Sequence, residues 1–264
     1  MASTFASKLE QYEKESVCFF VALTVACGLW CWYNAKTSNP WNAETIGDIP
    51  VPFGYTRLEA ASGSYAEYLR SLPLRKRGTK VNLYTGGEAN YQFLSTGVID
   101  QDILSNSEQC ADVTMRLRAE YLWQKGRYSE ICFRDVNGKR MNYTGGSSRK
   151  AFERYMRNVY GWCSTYSVYH ETTPRPLQEV QPGDVLVYPA RSGMKYGHAL
   201  IVVDVAKKGT KVAIMCAEGN TPARDKHIVR NLNPLNNPWF IFDGSENNLR
   251  ISVFHFNKEE LRHY

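Results

Sequence analysis

A thiol, an imidazole and a carboxylate fall in an order that suits nucleophilic chemistry: Cys110, His198 and Glu218. The segment SNSEQCADV puts Cys110 in the first turn of a helix, where the positive end of the dipole and open N–H groups favour thiolate. A nearby imidazolium adds to that effect, and the same ring can move the proton that acyl transfer requires. His198 is the candidate, because it opens the apolar run HALIVVDVA directly after Gly197. A catalytic imidazole needs a polar partner to fix its tautomer, and either Glu218 or Asn220 can supply one from the next strand. Gln109, beside the thiol, offers an amide donor to a developing oxyanion. Plainer readings exist for each. His198 alone fits a structural histidine, Cys110 a packing residue or disulfide partner, and Glu218 a surface partner of Arg224 or Lys226.

These residues need elements to hold them. Residues 108–123 predict an amphipathic helix, with Val113, Leu117 and Tyr121 on one stripe and Met115 and Leu122 beside it. Ser105 with Glu108 reads as its capping box, with Ser107 as an alternative cap. The segments GDVLVYPA, HALIVVDVA and KVAIMCAE read as three strands joined by Gly-containing turns, and RISVFHF as a last strand. A three-residue loop over 207–209, with Gly209 left-handed, pairs residue 206 with 210 and sets His198 directly opposite Glu218. Upstream, SEICFRDVNGKRMNYT reads as a hairpin turning on Asn137–Gly138, and SSRKAFERYMRNVYGW as a second amphipathic helix. Helices first and an antiparallel sheet afterwards give an α+β fold.

The segments QCADV, QPGDVLVY, YGHALIVVDV and AEGN resemble, in that order, the motifs of CHAP amidases and their NlpC-type relatives. That resemblance implies a papain-like fold and cleavage of a peptide or amide bond, for most such enzymes in bacterial peptidoglycan. It implies Cys110 as nucleophile, His198 as general base and Glu218 or Asn220 as orienting group. The hairpin 129–144 and helix 147–160 then form an insertion that is placed to wall a substrate cleft. Over a longer stretch, from about 48 to 262, the chain also resembles an uncharacterised bacterial family of exported proteins, which implies no activity. The alternative to a thiol hydrolase is therefore an exported binding or scaffold domain without catalysis; a third reading is a cell-surface accessory protein whose cleft recognises a glycan or peptide through Trp239 of NNPWF and the tyrosines.

The 264 residues carry 32 Lys and Arg against 26 Asp and Glu, a formal charge of +6 that is scattered rather than clustered. No basic run interleaved with aromatics supports nucleic-acid binding. Residues 17–33, VCFFVALTVACGLWCWY, are uncharged and read as a signal or membrane-anchor segment. Within it, TVACG resembles a lipoprotein signal around Cys27. The expected organisation is a leader over 1–33, a linker over 34–47 and one α+β domain over 48–264, exported to the cell envelope. Cys110, Cys132, Cys163 and Cys216 lie outside the leader in no CxxC pair, and two disulfides among them are open. Neither a P-loop, a GxGxxG after a strand, nor metal-ligand spacing is present, so the reading includes no cofactor and no metal.

Overall fold

The computed structural model describes residues 19, 21–22, 24–26, 28–29, 37–191 and 193–264. The expected lipidation site at Cys27, with Cys18 and Cys31, lies outside the described residues. Among those described, no helix is long and apolar enough to cross a membrane. The architecture is mixed α and β, built on an antiparallel sheet. Its strands in chain order are β1 (Thr56–Arg57), β2 (Ser95–Val98), β3 (Cys132–Arg134), β4 (Arg140–Asn142), β5 (Thr173–Pro174), β6 (Val185–Tyr188), β7 (His198–Lys208), β8 (Lys211–Glu218), β9 (His227–Val229), β10 (Phe240–Phe242), β11 (Asn248–Ile251), β12 (Phe254–Asn257) and β13 (Leu261–His263). The main path runs β2-β9-β8-β7-β6-β13-β5, with β1 added to β7 and β10 to β8. Beyond residue 37 the helices are α1 (Tyr65–Ser71), α2 (Cys110–Gln124), α3 (Arg149–Trp162) and α4 (Thr165–Glu171).

Strand β7 reads as one unbroken apolar run because both of its faces are covered. Ile201 and Val203 pack with Val113 and Leu117 of α2, whereas Leu200 and Val202 pack on the reverse face with Ile214, Phe240 and Phe256. Helix α2 is correspondingly buried almost all round, and it closes a second core with Phe152 and Met156 of α3. Trp239 is buried in the first core and donates its indole N–H to the Pro50 carbonyl at 2.8 Å. It is a core residue, which removes it as a ligand platform.

Several local expectations change. The β7–β8 turn has two residues, not three: Lys208 pairs with Lys211 across Gly209 (φ +58°) and Thr210. The register then shifts by one between Val202 and Asp204. At α2 the cap is Gln109 rather than Ser105 or Ser107, and Asp112 accepts the Gln109 N–H at 2.9 Å. Glu108, read as part of a capping box, is instead buried in ion pairs with Arg116 and Lys226. Of Asn137 and Gly138 only Gly138 has positive φ, and the loop spans three residues, with the Asp135 N–H on the Lys139 carbonyl. RISVFHF is not one strand but the hairpin β11–β12, turned by Ser252 at φ +56°. Cys110, Cys132, Cys163 and Cys216 are all free thiols.

Candidate functional site

Gln109 caps α2 and Cys110 is its first residue, so the thiol sits at the helix's amino end. The sheet presses against that end. A side chain at Gly219, just after β8, would meet Val113 Cγ2 at 2.7 Å and the Gln109 carbonyl at 3.4 Å, so only glycine allows this approach. Gly197 has the same character on the next strand, because a Cβ there would fall on the Tyr188 carbonyl and on Thr165 Oγ1. The tight passage at Gly197 sets His198, which pairs with Tyr188 of β6, at the start of β7.

These approaches bring the thiol and the imidazole together. The Cys110 side chain lies against the His198 ring, whose Nε2 is 2.7 Å from Glu218 Oε2. Burial by itself would lower the His198 pKa. The contacts with Cys110 and Glu218 outweigh it and raise the ring to about 10. Burial would likewise raise the Glu218 carboxyl, but hydrogen bonds from His198 and His227 bring it down to about 2. Both shifts point the same way, to a carboxylate holding a protonated ring.

Of the two orienting candidates, Glu218 is the one on His198. Asn220 turns its Oδ1 onto the N–H of Thr221 at 2.7 Å. Gln109 is placed beside the thiol, and its Oε1 accepts from Thr221 Oγ1 at 2.8 Å, which fixes the amide so that its NH2 end remains as a donor. The surface-pair alternative for Glu218 fails. Lys226 is fully buried and pairs with Glu108 at 2.5 Å, and Arg224 donates only to carbonyls.

Three further residues complete the arrangement. His227 is buried, donates from Nδ1 to the Asp225 carbonyl at 2.9 Å, and faces Glu218 Oε1 with Nε2 at 3.3 Å. Phe254 stacks on His198 at 4.0 Å between centroids. Tyr188 flanks the ring from β6 at 6.5 Å. His227 has no motif spacing, yet ARDKHIV is a short alternating stretch one turn after Glu218, and pairing it with KVAIMCAE would have placed the two side by side. Phe254 follows a turn at Ser252 that carries no glycine or asparagine to signal it in the sequence. Among the described residues no group of His, Cys, Asp and Glu has the arrangement of a metal site.

A cleft of about 360 Å³ adjoins this cluster, lined by Glu218, His227 and Arg224 together with Phe93, Val253 and Phe254. No residue of the 129–144 hairpin or the 147–160 helix lines it, so the expected insertion does not wall this cleft.

Residues 47–145 and 144–263 both match the family profile described as Domain of unknown function (4846). The chain belongs to the DUF4846 family. No curated protein and no solved structure matches it. In this DUF4846 chain the first match carries Gln109 and Cys110, and the second carries His198, Glu218 and His227. The candidate site is thus assembled from both matched stretches.

Proposed function

We propose that this DUF4846 protein is a thiol hydrolase that cleaves an amide bond, with a papain-like division of labour. One observation carries the reading: a thiol at a helix amino end rests against an imidazole that a buried carboxylate holds from behind at 2.7 Å. Cys110, as thiolate, attacks the carbonyl carbon, and the oxyanion that forms takes a hydrogen bond from the Gln109 amide. His198 keeps its proton at neutral pH and delivers it to the departing amine nitrogen as the C–N bond breaks, which leaves a thioester on Cys110. With Nε2 held by Glu218, Nδ1 is the nitrogen that then draws a proton from water as the water attacks the thioester. Collapse of that adduct breaks the C–S bond and releases the acid, which restores the Cys110 thiolate and the protonated ring. The resemblance to CHAP and NlpC-type amidases supports a peptidoglycan peptide as substrate, and the 17–33 segment supports export with a membrane tether.

Incubating purified peptidoglycan, and a panel of fluorogenic amides, with wild type and Cys110→Ala decides between outcomes. Release by the wild type alone is expected. Equal release by both, or none by either across several wall types, would overturn the proposal. A second reading is a binding domain that keeps the arrangement without turnover. Its support is the exposure of the two groups, only 8 % for Cys110 and 7 % for His198. It predicts that iodoacetamide at neutral pH labels Cys110 no faster than the partly exposed Cys132.

A further inference from the structure

The cleft beside Glu218 carries an incompletely used cation. Arg224 has five N–H groups, and three go to backbone carbonyls: Nε to Pro222 at 3.2 Å, Nη1 to Asn90 at 3.3 Å and Nη2 to Thr221 at 3.3 Å. Two are unspent, and among the described residues no carboxylate lies within ion-pair distance of this guanidinium. Burial pulls its pKa below the ordinary value, and only the more distant charge of Glu218 works against that. Glu218 itself is already shared between two imidazoles, so it does little to repel an anion.

Much of the remaining lining is apolar and open to solvent. Tyr91 and Phe93 make an edge-to-face pair at 6.1 Å and are 67 % and 53 % exposed, and Val253 is 46 % exposed. Three residues of the cleft touch the reactive cluster: Glu218 bonds His198, Phe254 stacks on His198, and Thr221 bonds Gln109. A chain whose carbonyl reaches Cys110 therefore has this cleft as its neighbour.

We propose that the cleft is a binding subsite for a substrate segment bearing a carboxylate next to a flat apolar group, the carboxylate held by Arg224 and the apolar group laid on Phe254 and Val253. This rests on the thiol-hydrolase reading for its use in catalysis, but not for binding itself. The charge and the unspent donors select an anion, and the aromatic wall selects what accompanies it.

The test is equilibrium binding of N-acetylphenylalanine and of its neutral primary amide to full-length Cys110→Ala protein, followed by calorimetry and by ligand-observed NMR. The carboxylate is expected to bind about tenfold or more tightly than the amide, with the gap narrowing as salt rises. Arg224→Gln is expected to erase the gap, and Phe254→Ala to weaken both probes alike while keeping it. Equal binding of the two probes by Cys110→Ala protein, or a gap that survives in folded Arg224→Gln protein, overturns the proposal. Because Arg224 also ties down carbonyls of its loop, circular dichroism checks the variant. If it does not fold, the salt dependence and Phe254→Ala decide instead. Iodoacetamide labelling of wild-type Cys110 is run in parallel. Carboxylate preference without selective labelling keeps the subsite and sinks the hydrolase, and the converse sinks the subsite alone.

Discussion

Replacing Glu218 by Gln keeps the shape of the site and removes its central charge, so it isolates what the carboxylate does for His198. The distance between an ordinary imidazole at 6.5 and this ring at about 10 corresponds to about 5 kcal/mol of preference for the charged form, after the cost of burial. Glu218 and Cys110 both contribute to it. Their combined effect exceeds the net rise by the cost of burial, so if they share it evenly, Glu218→Gln lowers the His198 midpoint to about 8 or below. Proton and carbon shifts of the ring, followed against pH in histidine-labelled protein, read this directly. The protein has five histidines, and a His198→Asn spectrum assigns the signal. Stability changes in a defined window. The raised His198 contributes fully below about 6.5 and loses its contribution as pH climbs through about 10. The lowered Glu218 contributes fully above 4.5 and loses its contribution as pH falls through about 2. Both are therefore whole between 4.5 and 6.5. There Glu218→Gln is expected to cost about 3–5 kcal/mol, because a buried cation loses its partner. A wild-type His198 midpoint near 6.5, or one unmoved by the substitution, would refute the reasoning.

Other outcomes follow from neighbouring geometry. His227→Phe takes the second imidazole away from Glu218 Oε1 and should lower stability by about 1–3 kcal/mol in chemical denaturation. Gly197→Ala drives a Cβ onto backbone of the Tyr188 turn, and thermal melts should show a loss of about 1–3 kcal/mol or no folded protein; an unchanged melting temperature would contradict the tight passage. Asp112 is pushed up to about 8 by burial, so its contribution is whole below 3.8 and is lost as pH rises through about 8. Asp112→Asn, which still accepts the Gln109 N–H, should match wild type near pH 4 and exceed it increasingly towards pH 8 in pH-resolved melts. Lys226→Met removes one cation from buried Glu108 and should cost about 3–5 kcal/mol in denaturant titrations, although Arg116 remains.

What the sequence revealed tracks the range of the interactions involved. The helix at Cys110, the strands β6 to β8 and the antiparallel sheet are written in local periodicity and turn residues, and they were legible. Glu108 looks in sequence like half of a capping box, whereas its real partners, Arg116 and Lys226, are buried and one of them lies 118 positions away. The turn at Ser252–Val253 escaped because it uses a left-handed serine where glycine or asparagine usually signals. Without that turn signal Phe254 reads as part of one strand, and its stacking on His198 has no trace in the sequence. His227 and Arg224 needed the β8–β9 pairing of Glu218 with His227, a contact that no spacing rule announces.

The meeting of His198 and Glu218 has a more particular cause than the expected register. In the turn-proximal part of the β7–β8 hairpin the pairs are Lys208 with Lys211 and Ala206 with Ala213. Continued without interruption, that register would place His198 and Glu218 on opposite faces of the sheet, because side chains alternate. The bulge between Val202 and Asp204 removes one residue from the count, and beyond it Ile201 pairs with Ala217. The two side chains then share a face in diagonal rather than direct opposition, within reach of a glutamate's length. At the bulge sits Asp204, buried, with Arg57 at 2.9 Å and Arg70 at 2.7 Å from its two oxygens. Those arginines belong to β1 and α1, and β1 pairs with β7 at Ala206 and Lys207, far along the strand from His198. The irregularity they help hold sets the parity of the strand, and the parity puts the carboxylate behind the imidazole.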